Sequence, residues 1–503
     1  MFDAFFGSLL EVLQPGTLLL LLAGVTVGFL VGILPGLGGP VTLALMLPFT
    51  FSMQPIEAFA FLLGMLVVTS TTGDLTSVLF GIPGEATTAA AVLDGHPLTR
   101  RGESGRALGA VLFSSLLGSI FGAAVLALAV PIIRPVVLAL GPPEFFVLTA
   151  LGLTFVVALS GHQILKGFLM AAAGLLIALI GVESQGGVPR YTFGEIYLWD
   201  GIGLIPLVIG LFGGAEILQL MLSRQSIAGD ASADLGPISG VGQGIRDTLH
   251  HWKVVIQSSA IGVMVGMIPG LGGSVAQFIA YGQAKQSSKN PEMFGKGAID
   301  GLIASGANNN ARDSGSLIPT IAFGIPGGAN TAVLLSAFLI VGLNPGPEML
   351  TTNVEVTFSM VWITVIANAI AVAAAFAVLK PLTKLTFISG PLLVPFLVLL
   401  MALGAYSATN SYGDILVMLA ASAIGVACIR WNWPRIPFLL AVVLGGLAER
   451  YLFLSYSLFG WSWLTRPAVI GLLALTALIM AAPALKKARA RRRKHADKEV
   501  MVP

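Results

Sequence analysis

The chain has 503 residues, of which 56% are hydrophobic and only 10% charged, against roughly 25% charged in soluble domains. That balance excludes a soluble globular protein. The net charge of +3 traces to one basic tail, Lys486–Lys494, rather than to a nucleic-acid surface, and the single cysteine, Cys428, excludes an internal disulfide.

In chain order, Met1–Pro15 is a short apolar lead without Lys or Arg, so it lacks the basic start of a cleavable signal peptide. Thr17–Leu34 and Leu37–Phe49 predict the two legs of a hairpin folded at Pro35-Gly36. After the connection Thr50–Glu57, apolar Ala58–Val68 runs into polar Thr69–Asp74. A second break follows at Pro83-Gly84, then a charged loop over Asp94–Glu103 in which His96 is expected to be solvated. Spans are predicted near 107–131, 144–160, 164–182 and 201–221, and the polar stretch 222–252 reads as a seam. The plan then repeats, with a hairpin at 253–281 and a basic loop carrying Lys285, Lys289 and Lys296. Polar Ser305–Ser316 precedes a break at Pro326-Gly327, and spans follow near 354–379, 389–405, 411–428, 436–449 and 467–482.

This is a duplication. Gly32-Ile33-Leu34-Pro35-Gly36-Leu37-Gly38-Gly39 returns 234 residues later as Gly266-Met267-Ile268-Pro269-Gly270-Leu271-Gly272-Gly273, and Phe80–Gly84 is matched letter for letter by Phe323–Gly327. The basic residues of the two halves are distributed oppositely. The first half has none in 50–57 and three in 94–106 (Arg100, Arg101, Arg106); the second has three in 282–298 and none in 342–353. By the positive-inside rule, equivalent loops then lie on opposite sides of the membrane. The expected fold is an all-α polytopic membrane protein of two inverted-topology repeats with broken-helix Pro-Gly hairpins and about 10–14 membrane segments. Residues 1–221 form the first repeat, 222–252 the linker, 253–482 the second repeat and 483–503 a cytoplasmic basic tail.

Proline and glycine breaks within hydrophobic sequence are costly, because irregular backbone survives at membrane depth only where protein buries it or a watery cavity hydrates it. Matched breaks in two repeats point to a transporter's binding site. The bland alternative, kinked helices packed through small residues, accounts for one break more readily than for four in matched pairs. The expected substrate-binding set is Gly36, Gly38, Gly39, Pro83, Gly84, Thr87 and Thr88 from one half. Gly270, Gly272, Gly273, Asn309, Asn310, Pro326, Gly327, Asn330 and Thr331 complete it from the other. Helix starts at such breaks suit carboxylates, and freed carbonyls suit sodium. Each hydroxyl or amide in the set has a second reading as an interhelical hydrogen bond.

The expected ion-coupling residues are Asp74, Asn308 and Ser314. An intramembrane carboxylate costs about 2.5–3.5 kcal/mol on insertion scales and reads as functional by default. Asp74 has several available roles: a sodium ligand, a proton carrier, a partner for Arg312 or a helix-end group. The Arg312-Asp313 pair either neutralises itself or offers Arg312 as a bidentate clasp for a carboxylate.

Gly32–Gly39 with its repeat, Gly81–Gly84 followed by Asp94-Gly95-His96-Pro97, and Asn309-Asn310 ahead of Gly315–Pro319 and Gly324–Gly327 together resemble the large membrane subunit, TctA, of the tripartite tricarboxylate transporters. The similarity runs to about residue 480. The resemblance implies a permease of the bacterial inner membrane, driven by a sodium or proton gradient and importing organic acids. It also implies two partners, a small TctB-like membrane subunit and a periplasmic TctC-like solute-binding protein. The family usually carries Pro-Glu where Ser305 and Gly306 stand, small residues at Arg312 and Asp313, and Gly-Ser-like residues around Asp74. No cofactor or nucleic acid is expected. The partners are the bilayer, the acid and the two subunits; a homodimer is compatible with a sequence that does not fix oligomeric state.

Other classes fit less well. An intramembrane aspartyl protease built on Asp74 would have only Asp313 as a second aspartate, and that carries an adjacent Arg. The five histidines lack metal-ligand spacing, and no Gly-x4-Gly-Lys-Ser/Thr stretch is present for ATP. A passive channel would need a continuous pore lining, which inverted broken hairpins do not favour.

Overall fold

The computed structural model describes residues 1–33, 38–158, 163–183, 186–222, 239–269, 271, 273–385 and 390–480. Gly36, Gly270, Gly272, most of the linker and the basic tail lie outside the described residues. The described chain is almost wholly helical, with one two-residue strand pair, Gly181–Val182 against Pro189–Arg190. Six helices are long and apolar enough to cross a membrane, and eight shorter apolar helices accompany them. Two compact units form, Met1–Val137 with Ile202–Asn432, and Leu138–Gly201 with Trp433–Pro503. Each unit draws chain from both sequence halves. In the second, Arg466 pairs with buried Glu144 at 2.6 Å and Arg190 with Glu449 at 2.8 Å.

The first unit holds every described residue of the expected site. Its first half supplies α1 (Pro15–Gly32), α2 (Gly39–Met46), α3 (Pro55–Phe80), α4 (Ala89–Arg100) and α5 (Ser104–Ala139). Its second half supplies α6 (Trp252–Gly266), α7 (Gly273–Ser287), α8 (Ile299–Phe323), α9 (Ala329–Ile340) and α10 (Val354–Leu385), the last kinked at Val378. The helices α3 and α8 are the buried centre. Residues Ala58–Phe80 of α3 and Gly301–Ala322 of α8 are buried without exception.

The same packing device recurs in both halves. Gly24, Gly28 and Gly32 lay α1 directly on the backbone of α3, where a methyl on Gly28 would overlap the Met65 carbonyl. Gly262 and Gly266 lay α6 on α8, where a methyl on Gly262 would come 2.7 Å from the Asn308 carbonyl oxygen. Small residues four apart let helix backbones touch without a hydrophobic drive. Both central helices stop in the same way. Gly81 (φ +70°) and Gly324 (φ +69°) adopt the left-handed conformation that a side chain resists, just ahead of the Pro-Gly breaks.

Apolar Ala58–Val68 and polar Thr69–Asp74 lie on one continuous helix, in which hydroxyls satisfy themselves on carbonyls four residues back, as Thr71 does on Val67. The structure corrects several expected boundaries. The charged stretch from Asp94 is helical through Arg100, with Pro97 inside. His96 is half-buried there and packs under Gly81, so it is not a solvated loop residue. The span near 164–182 ends at Ala178, and the one near 201–221 is an α-helix interrupted by π-turns over Ile209–Gly214. The span near 436–449 extends to Phe459, and Val241–His250 of the linker is helical.

Candidate functional site

Between α3 and α8 runs a fully buried polar seam. The Asn309 amide donates to the Ser70 carbonyl at 2.9 Å and to Asp74 Oδ2 at 3.4 Å. Ser70 Oγ donates to Asp313 Oδ2 at 3.1 Å, so positions 243 apart, equivalent in the repeat, touch each other. Asn310 donates to Thr71 Oγ1 at 2.8 Å and Ser115 Oγ at 2.7 Å, and Asn368 of α10 joins the same cluster. Arg312 Nη2 holds Asp313 Oδ1 at 2.6 Å. Yet Asp74 Oδ1, the Asn308, Asn309 and Asn310 side-chain oxygens, and Arg312 Nε have no partner among the described residues. Buried polar atoms are normally satisfied, so this concentration marks the seam as more than packing.

The two Pro-Gly junctions close over this seam and cross between halves. Gly39, at the start of α2, lies under Asn330 of the other half, where a methyl would meet Asn330 Oδ1 at 2.9 Å. Gly273, at the start of α7, lies under Thr87 and the Arg312 guanidinium, which fill the space a side chain would need. Thr87 and Asn330 are themselves equivalent positions, so each half's helix start meets the other half's post-break residue.

Other expected residues have structural partners. Thr88 Oγ1 takes the Glu85 N–H at 3.4 Å and donates to the Glu85 carbonyl at 3.0 Å. Thr331 does the same with Gly328 at 3.0 and 3.1 Å. These are matching helix-start caps. Gly84 and Gly327 allow close approach, to Gly73 Cα at 2.5 Å and Ser316 Cβ at 2.6 Å for an added methyl. Pro83 is exposed, Pro326 is buried, and Gly38 sits beside Glu85. Asn308 and Ser314 do not reach Asp74. Asn308 donates to the Ser258 carbonyl of α6 at 3.1 Å, and Ser314 turns toward Gly122 of α5.

Sequence reasoning missed Glu85. Its Oε2 accepts the Gly39 N–H at 3.2 Å and its Oε1 accepts the Thr87 hydroxyl. A carboxylate between a Pro-Gly break and a Thr pair was the available signal. Asn368 and Ser115 were also missed, although polar residues inside apolar spans carry the same kind of warning. Asp94 has a positioning role: its Oδ1 accepts the N–H groups of Gly295, Gly297 and Ala298, each at 2.8 Å, and its Oδ2 accepts the Tyr281 hydroxyl at 2.9 Å. It thereby holds the approach to α8. Among the described residues, no group of three or more His, Cys, Asp or Glu could hold a metal ion.

A multi-pass helical membrane protein with a buried polar seam beneath paired helix breaks has the build of a transporter component. The chain belongs to the tripartite tricarboxylate transporter TctA family, whose model it matches over residues 18–440. It is similar to an uncharacterized 52.8 kDa protein of the TAR-I ttuC' 3'region of Agrobacterium vitis, with 31% identity over 88% of this chain and 87% of that protein. It is also similar to an uncharacterized protein of the TAR-II ttuC' 3'region of the same organism, with 32% identity over 38% of this chain and 79% of that protein. No solved structure matches it.

Proposed function

We propose that this chain is the permease subunit of a secondary active symporter that imports organic carboxylates into a bacterium across its inner membrane. The observation that carries the reading is the crossing of the junctions over one seam. The N-terminus of α7, the Arg312 guanidinium and Thr87 converge there from different halves. Helix starts and a guanidinium both favour a carboxylate, and a seam assembled from both halves can change its access when one half moves. Inverted topology of the halves, a cytoplasmic C-terminus, the small membrane subunit and the periplasmic binding protein complete the reading. They rest on the loop charges and on family membership.

Coupling is assigned to Asp74, a buried carboxylate with one weak amide donor and an unpartnered oxygen at the seam. A sodium ion or a proton there would offset its charge during transit. The deciding experiment is uptake of labelled carboxylates into proteoliposomes holding this chain with its two partner subunits, under imposed sodium or proton gradients. Uptake should follow one gradient. Asp74→Asn should reduce it to the gradient-free rate while leaving insertion intact. Gradient-independent uptake, or an unaffected mutant, would overturn the symport assignment and its residue.

A further inference from the structure

The two helix starts beneath the junctions are occupied differently. Neither α2 nor α7 carries an acidic residue in its own first turn, so each presents its free N–H groups and positive dipole end uncompensated by its own sequence. At α2 the compensation comes from the loop: the Glu85 carboxylate accepts the Gly39 N–H and the Thr87 hydroxyl. The equivalent of Glu85 in the second half is Gly328, which has no side chain. What stands at α7 instead is a cation. Arg312, 8% exposed, packs against Gly273 with Nη1, and its Nε has no partner among the described residues. Asp313 already takes Nη2 at 2.6 Å, so what faces the start of α7 is the remaining edge of a paired guanidinium, Nη1 and the unpartnered Nε, and a helix N-terminus beside those donors favours a carboxylate shared between them.

Resting on the carboxylate-import reading above, we infer that Glu85 stands permanently where a second substrate carboxylate would otherwise bind, so that the cargo is an organic monocarboxylate whose carboxylate is held by Arg312 and the start of α7. A second carboxylate reaching across to α2 would meet Glu85, with Asp74 and Asp313 also on that seam. Like charges brought together out of water are strongly disfavoured. Glu85 is thus a specificity-determining residue that acts by exclusion.

The second half supplies a fold-safe test. Gly328 is extended (φ −164°), and a Cβ added there meets nothing within 4 Å, so a side chain can start there without backbone strain or a clash at its first atom. The probes are labelled acid pairs that differ only by a second carboxylate, propionate with succinate and benzoate with terephthalate. Uptake is measured in proteoliposomes with the partner subunits. The native chain should favour the monocarboxylate of a transported pair by at least about 10-fold in kcat/KM. Glu85→Gln keeps a hydrogen-bond acceptor but removes the charge, and should raise the dicarboxylate-to-monocarboxylate ratio by about 10-fold. Gly328→Glu should place a carboxylate at the α7 site and lower uptake of both members about 50-fold, while Gly328→Gln stays within about 3-fold of native. A native preference for the dicarboxylate overturns the inference alone. So does a ratio unchanged in Glu85→Gln, or a Gly328→Glu chain that transports like Gly328→Gln. No uptake of any acid by the native chain overturns both this inference and the carboxylate-import reading.

Discussion

The first and second junctions share a backbone and differ in charge. Each consists of a buried helix stopped at a left-handed glycine, a Pro-Gly break, a threonine cap and a short helix, in the same order and spacing. On that common frame the first carries Glu85 where the second has Gly328, and the second carries Arg312 where the first has Thr69. The first is also clasped to the approach of α8 by Asp94, at a position where the second has Ala337. Duplication therefore kept what the backbone requires, while the charged side chains beside it diverged. The glycine contacts and caps are bound to the break geometry, whereas side chains facing the seam could diverge without cost to the break.

The largest expected effect that separates the junctions is at Arg312. Arg312→Ala should lower carboxylate uptake by at least about 100-fold and also depress the melting temperature, because it leaves Asp313 buried without its ion pair. Arg312→Lys retains charge and should recover part of the stability but little of the transport, since an ammonium lacks the planar fork. Transport by Arg312→Ala near the native rate would make the two junctions functionally alike.

The Asp94 clasp should come next. Asp94→Ala removes four hydrogen-bond acceptances by one carboxylate and strands the N–H groups ahead of α8, for an expected loss of about 3 kcal/mol, read as a lower melting temperature in detergent. Ala337→Ser, at the equivalent place, should change little. Equal effects at the two positions would remove this asymmetry.

The smallest effect tests the shared frame. Thr88→Val and Thr331→Val each remove one cap and should each cost about 1 kcal/mol, with Thr88→Val somewhat the larger because Thr88 Oγ1 also accepts the buried Ser77 hydroxyl at 2.9 Å. A large effect at only one of them would show that the caps, like the charges, have diverged.

Much of this was legible in the chain itself. Composition alone placed the protein in a membrane, since so apolar a sequence has no other stable home. The matched Pro-Gly breaks marked both junctions, because proline and glycine act on their own backbone and need no partner to do so. The tertiary structure decided which side chains meet. Nothing local announces that Thr87 lies over Gly273, that Asn330 lies over Gly39, or that Ser70 touches Asp313 from 243 residues away. Asn308 and Asn309 are adjacent in sequence, yet helical geometry turns one to α6 and the other to Asp74. Asp94 read as a loop charge because its compensation, three N–H groups from the other half of the chain, exists only after folding. Breaks are local properties of a backbone, while pairing, burial and charge balance belong to the packed whole.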